Sequence, residues 1–378
     1  MHLPHLHLRD WPFSVVPRDE HCFFLADRVQ VREDIDALFR HLTRRDSSTI
    51  HVLWAYYGAG KTHTLKFISH LCRSQFPTFM PVYIEFPKEA RSFLDLYVAF
   101  IERLEISVLQ NIFLEVFTSP KKEEARRKLQ QDFPDLFNAM SVLSQERSDK
   151  VAVANNWLRG QNLPMKDLRM VNITSRLDSA EKALKVVAWI ITLMVWANES
   201  SITSPPRILW MIDEFQRISE CRKPTQDEIN GCLQSIYNRC PSSFSLFLSF
   251  SGEPAKLMPH WLSKEIADRI GLEKVIVLPP LSGDDAKLFI GDLIGNFRDS
   301  YNSVPNPYFP FSEAAVSKLV EVVGQKTRLK PRTIMQACNA VLEEADHLIE
   351  NGKLKLIDAD FAASILKDRS FVETEDQG

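Results

Sequence analysis

The sequence predicts an α/β protein. A largely parallel sheet is covered by helices on both faces, with a phosphate-binding loop after its first strand, a helical insertion and a C-terminal α-helical domain. Three observations carry this prediction. Apolar, β-branched-rich runs recur at Ile50–Ala55, Val82–Phe86, Ile208–Ile212, Ser245–Phe250 and Val275–Leu278, with helical patterns between them; buried parallel strands give this alternation. The octet Ala55-Tyr-Tyr-Gly-Ala-Gly-Lys-Thr62 follows the first run and opens a helix-like stretch. After Pro279-Pro280 the periodicity is helical throughout.

Taken in order, residues 1–48 read as a lead-in. Met1-His-Leu-Pro-His-Leu-His7 reads as a loose tail, with metal binding as the alternative. Val31, Ile35, Leu38 and Phe39 then share one helical face. Residues 49–280 read as the sheet-bearing core. Between its second and third strands lie Phe93–Phe117, the charged run Lys121-Lys-Glu-Glu-Ala-Arg-Arg-Lys128, Trp157-Leu-Arg-Gly160 and a long helix over Ser179–Ala197. Most of 118–175 is expected to be a helical insertion. The mixed signs of the charged run suit a solvated helix face better than a nucleic-acid contact. Residues 281–370 read as a helical lid. Ala286, Phe289, Ile290, Leu293, Ile294 and Phe297 recur at helical spacing. Ser312 is the expected N-cap of Glu313–Val323, with Gly324 after its last turn. Pro331 suits the first turn of Arg332–Glu350, and a last helix follows Asp358. Residues 371–378 form a tail.

Bulk properties narrow the class. The chain has 378 residues, 45% hydrophobic and 25% charged, as in soluble globular proteins. A net charge of -3 excludes a wholly basic nucleic-acid binder but leaves room for a local basic face. The six cysteines include no Cys-x-x-Cys pair, and no signal peptide is evident, so a reducing cytoplasmic setting is expected. The longest apolar stretch, Val186–Ala197, is too short to span a bilayer, so no membrane role is expected.

The octet carries the first chemistry. A strand, a glycine-bearing loop and a helix start allow backbone N–H groups to wrap a polyphosphate, with the helix dipole behind them. Ala55, Tyr56, Tyr57, Gly58, Ala59, Gly60, Lys61, Thr62 and the following His63 are the nucleotide-binding candidates. Lys61 would reach the β- and γ-phosphates and Thr62 would hold Mg²⁺. Ala55 stands where the strict pattern has glycine, while Gly58 and Gly60 are kept. Ile208-Leu-Trp-Met-Ile-Asp213-Glu214 is an apolar strand ending in two carboxylates. Asp213 would hold Mg²⁺ and Glu214 would polarise the water that attacks the γ-phosphate. At the end of the next strand Ser251 is the first candidate, and Ser249 the second, to bond that water or the γ-phosphate; serines merely ending a strand are the alternative.

These motifs resemble the AAA+ ATPases over roughly residues 10–370, and within them the initiator clade of origin-recognition and Cdc6-like proteins and its bacterial relatives. Asp27-Arg28 resembles the clade's lead-in along the adenine. Arg269, in Ala267-Asp-Arg-Ile-Gly271, stands where the family carries its arginine finger to a neighbouring subunit. Arg332, in Leu329-Lys-Pro-Arg332, stands where it carries its sensor-2 arginine. A structural salt bridge is the alternative for each arginine. Trp157–Gly160, Leu168–Ile173 and Leu177–Ala183 are similar to ATP-binding proteins of BREX-type phage-exclusion systems. Asp213–Ile218 is similar to ATPase partners of Tn7-like transposases and to the ExeA group.

The resemblance implies ATP and Mg²⁺ as cofactors, a homo-oligomer, and DNA or a DNA-bound protein as partner. Arg40, Arg44, Arg45, Lys121, Lys122, Arg126 and Arg127 would supply basic contacts, unless they serve only helix solubility. Antiviral defence is one implied setting. The alternative function is a nucleotide-gated switch that licenses a separate effector nuclease, transposase or methyltransferase with little turnover. A small-molecule kinase fits the separate helical domain poorly. Neither a helix-turn-helix after the lid nor a nuclease or protease constellation is visible.

Overall fold

The computed structural model describes residues 3–14, 18–26, 28–44, 47–104, 106–119, 122–144, 149–198, 207–253, 258–270, 275–299, 306–367 and 369. Asp27, Arg45, Lys121, Gly271 and residues 371–378 therefore lie outside the described residues.

Five strands form one sheet: β1 (Thr49–Ala55), β2 (Phe79–Glu85), β3 (Arg207–Asp213), β4 (Phe244–Ser251) and β5 (Val275–Leu278). The order is β2-β3-β4-β1-β5 and all pairings are parallel. β1 and β3 are buried along their whole length, as parallel strands covered on both faces must be. Residues on one face (Ile50, Val52, Trp54, Trp210, Leu246, Leu248) join a core with α3 (Phe93–Arg103), α4 (Ile106–Thr118), α9 (Ala180–Asn198) and α10 (Lys223–Arg239). Alternate residues (Leu53, Leu209, Met211, Phe247, Ile276) join a second core with α1 (Val29–Arg44) and α2 (Lys61–Ser74). The edge strand β2 begins earlier than the predicted Val82 and contains Pro81. An edge tolerates proline because its outer side has no ladder bond to lose.

Between α4 and α9 run α5 (Glu123–Asp132), α6 (Pro134–Leu143), α7 (Asp149–Leu158) and α8 (Met165–Met170). Two side chains fasten this segment. The Trp157 indole N–H donates to Ser175 O at 2.8 Å. The buried Asp135 carboxylate accepts from Thr174 N at 2.7 Å and Oγ1 at 3.0 Å, and from Ser175 N at 3.0 Å and Oγ at 2.6 Å. Asp135→Ala strands these donors, so it is expected to destabilise the full chain by about 2–4 kcal/mol in denaturant unfolding. A change below about 0.5 kcal/mol would mean the staple is redundant.

The basic residues of this region are corrected by their surroundings. Lys122 is buried and its ammonium donates to Trp196 O in the last turn of α9. Arg126 Nη1 donates to Val116 O and Ser119 O, both at 2.8 Å, at the end of α4. Each cation neutralises the carbonyl end of a helix, so neither is a free surface charge. Arg127 pairs with Glu123 at 3.2 Å on the exposed face. Arg40 and Arg44 are exposed on α1.

The lid is built from α12 (Gly283–Asn296), α13 (Glu313–Lys326), α14 (Pro331–Glu350) and α15 (Ala359–Leu366), and a four-residue helix, α11 (Lys264–Ala267), precedes β5. Ser282, Ser312 and Asp358 cap α12, α13 and α15 through side-chain acceptors. Gly324 does not end α13. The helix runs on to Lys326, and Leu329 packs against this turn, 3.7 Å from where a Cβ at Gly324 would stand. The expected loose N-terminal tail is also corrected. Leu3, Leu6 and Leu8 are buried in the lid core, and His5 Nε2 meets Asp346 Oδ1 at 2.6 Å. Apolar residues flank each histidine, so burial holds the segment down. Among the described residues no group of His, Cys, Asp and Glu is placed to hold a metal, and no helix is long and apolar enough to cross a membrane.

Candidate functional site

β1 delivers the chain to the loop at Ala55, which is buried and whose carbonyl accepts from Gly252 N at 3.1 Å. Ala55 thus underlies the loop and takes no part in the wall of the cleft above it. Gly58 (φ 78°) and Gly60 (φ 98°) adopt the left-handed conformations that glycine reaches without strain. At Gly58 a Cβ would stand 3.2 Å from Arg332 Cβ, so the lid helix rests on this residue. α2 starts at Lys61, and its first N–H groups face the cleft mouth with the positive end of the dipole. Lys61 is 4% exposed, with Nζ 3.5 Å from Tyr56 O.

The octet and the acid pair meet here. Thr62 Oγ1 donates to Asp213 Oδ2 at 2.6 Å. Tyr83 donates to the same oxygen at 3.1 Å; burial, then the Asp213 charge, pushes its phenol above the usual range, so it stays a donor. Asp213 Oδ1 accepts from Glu214 N at 2.9 Å. Glu214 follows in a left-handed conformation, φ 54°, unusual for a residue with a side chain, and lines the cleft. The sheet order explains the meeting: β4 lies between β1 and β3, so its end stands between loop and acids. Ser251 sits there, its hydroxyl 3.5 Å from Glu214 Oε2. Ser249, two residues back on the same face, is sealed in the sheet, and among the described residues its Oγ has no hydrogen-bond partner.

The cleft between the loop, the lead-in and the lid spans about 1040 Å³, open solvent at its mouth included. Its far walls are Phe24, Phe289, Leu293, Phe297 and Met335, with Arg18 and His21 at one side. An apolar slot beside a cationic loop suits a base joined to phosphates. Arg28 bridges the parts, donating to Pro279 O at 2.8 Å and Ala59 O at 3.3 Å. His63 bonds Phe24 O through Nε2 at 2.8 Å and so ties α2 to the lead-in. Burial holds its pKa below the usual imidazole value, leaving the ring neutral.

Both tyrosines of the octet are covered by lid arginines. Arg332 Cζ stands 4.4 Å from the Tyr57 ring, and its backbone N donates to Gly58 O at 3.2 Å. Arg328 Cζ stands 4.4 Å from the Tyr56 ring, whose hydroxyl donates to Glu253 at 2.7 Å. Arg269 lies outside the cleft wall. Its guanidinium covers Tyr237 at 5.3 Å and donates to Asn238 Oδ1 at 3.0 Å and Glu265 O at 2.6 Å.

The structure therefore brings Tyr57 to His63, Arg28, Glu214 and Arg332 to one cleft, with Asp213 bonded to Thr62. Arg18, His21, Phe24, the lid aromatics, Tyr83 and Gln216 are neighbours that sequence reasoning missed. Most lie in irregular chain or on unrelated helices, where no spacing marks them. Tyr83 alone carried a faint signal, as a polar tip in a predicted strand.

No protein-family model and no curated protein matches the sequence. Solved structures do. The chain is similar to Cdc6p from Pyrobaculum aerophilum, at 14% identity and TM-score 0.51 over 96% of this chain and 71% of that one. It is similar to the Aeropyrum pernix ORC1 protein, solved in complex with DNA, at 12% identity and TM-score 0.51 over 94% and 69%. It is similar to the Aeropyrum pernix ORC2 protein, solved as ADPNP-ADP complexes, at 14% identity and TM-score 0.53 over 94% and 74%. With its five-stranded all-parallel sheet, octet loop and helical lid, the chain has a Cdc6-like fold.

Proposed function

We propose that the protein is a Mg²⁺-dependent ATPase that assembles into oligomers and acts on DNA or a DNA-bound partner. One observation carries the proposal: the 2.6 Å contact between Thr62 and Asp213, with Lys61 and Glu214 on the same cleft. A hydroxyl and a carboxylate are hard oxygen donors, and Mg²⁺ is ordinarily held by one or two such groups together with substrate phosphates. Bound there, the ion would neutralise charge on the phosphates. Loop N–H groups and Lys61 hold the polyphosphate. Glu214 takes a proton from water as its oxygen bonds the γ-phosphorus and the bond to the β-phosphate oxygen breaks, yielding ADP and phosphate. Arg332 reaches the phosphates from the lid once released from Tyr57.

DNA and nucleotide are supported by the neighbours' described states, one in complex with DNA and one as ADPNP-ADP complexes, and the oligomer by the sequence resemblance. Arg40 and Arg44, both exposed on α1, would supply basic contacts. A defence role, with a nuclease, transposase or methyltransferase as effector, extends the proposal and rests on short sequence resemblances alone.

The test mixes Arg269→Ala with Glu214→Gln. If Arg269 completes a neighbour's site, each variant alone is inactive and the mixture recovers ATPase at interfaces pairing an intact Glu214 with an intact Arg269. No recovery, with both proteins folded and co-assembling, overturns that role. Wild-type mass is expected to rise with ATP, and turnover to rise with duplex DNA. Protein indifferent to ATP overturns the whole proposal.

A further inference from the structure

We propose that Gln216 is a positioning residue for hydrolysis, setting the Glu214 carboxylate and coupling it to the end of β4. The inference rests on the ATPase reading above and names a residue that reading does not use.

Hydrogen-bond partners fix the orientation of the Gln216 amide. Ser251 N can only donate, so the amide oxygen faces it, at 2.9 Å. The NH₂ then faces Glu214 Oε2, at 2.6 Å. The Ser251 hydroxyl approaches the same oxygen at 3.5 Å. Both donors thus converge on Oε2, and among the described residues nothing bonds Oε1. Oε1 is the oxygen left to accept from an attacking water.

Glu214 needs such a holder. It follows β3 in a left-handed conformation, so neither strand nor helix geometry dictates where its side chain points. Gln216 is itself well anchored. It lies in a 3-10 turn, Phe215–Glu220, whose Phe215 and Ile218 are fully buried. Its neighbour Arg217 is tied to Glu85 at 2.6 Å. Gln216 is not part of the cleft wall, so it acts through Glu214. A carboxamide presents a donor and an acceptor on one rigid plane; neither methionine nor glutamate of similar length does. A shift of Ser251 is therefore passed to Glu214 through one planar group.

The experiment compares Gln216→Met and Gln216→Glu, each in wild type and in a Glu214→Gln background. It measures steady-state ATPase, binding of a fluorescent ADP analogue and unfolding midpoint on the full chain. Misplacing a reacting group by about 1 Å costs on the order of 100-fold, so kcat is expected to fall about 10- to 100-fold. KM and ADP affinity should stay within about twofold, since Gln216 makes no contact in the cleft. In the Glu214→Gln background the same changes should cost nothing further, because the group they position is already lost. Unaltered kcat, faster turnover, or an equal loss in the Glu214→Gln background would each overturn the proposal. Wild type that binds ATP without hydrolysing it defeats the ATPase reading and this inference together. Hydrolysing wild type with unaffected Gln216 variants defeats this inference alone.

Discussion

Lys61→Ala is expected to weaken ATP binding by about two to three orders of magnitude, equivalent to roughly 3–4 kcal/mol. The side chain is 4% exposed and stands at the N-terminus of α2, where the helix dipole disfavours a cation. Burying a positive charge at such a place costs free energy unless an anion shares it. The phosphates would be that anion, and charge-assisted bonds to them are the strong kind. The change would remove those bonds to the phosphates. What disappears is the stabilisation that ATP confers by mass action. Titration with a fluorescent ATP analogue and a thermal melt with and without ATP check both halves. Wild-type affinity in the variant would remove Lys61 from the site.

Glu214→Gln should do the opposite: keep ATP and lose turnover, by about 10²–10³-fold. The residue lines the cleft, but the loop would make the phosphate contacts. A glutamine keeps the shape and the backbone conformation while removing the proton acceptor. Single-turnover hydrolysis with ATP binding measured in parallel decides it, and full-speed hydrolysis would show that another group activates the water. The pair of variants also separates turnover from switching. A nucleotide-gated switch keeps its output in Glu214→Gln and loses it in Lys61→Ala. A working ATPase loses its output in both.

The features legible in the sequence are those that local physics imposes. Gly58 and Gly60 are required by their φ angles, so the loop announced itself. The strand runs are apolar on both faces because the sheet is covered on both faces, and the caps Ser312 and Asp358 follow from helix-end N–H groups. Even the distant acid pair was legible, since an apolar strand ending in Asp213-Glu214 after such a loop is uncommon. Gly324 misled because glycine often ends a helix, yet here the helix continues to Lys326.

Other features depend on partners far away in the chain. Lys122 and Arg126 look like solvated charge until the ends of α9 and α4 are found beside them. Leu3, Leu6 and Leu8 look like a tail until the lid core receives them. The Gln216 amide has no visible task until β4 brings Ser251 to its oxygen. By itself, then, the sequence determined the elements, the loop and the acid pair that meets it, because backbone conformation and apolar periodicity are local. Only the tertiary structure decided which cations are spent on helix ends, what walls the cleft and what holds Glu214, because hydrogen bonds and burial join residues that no spacing relates.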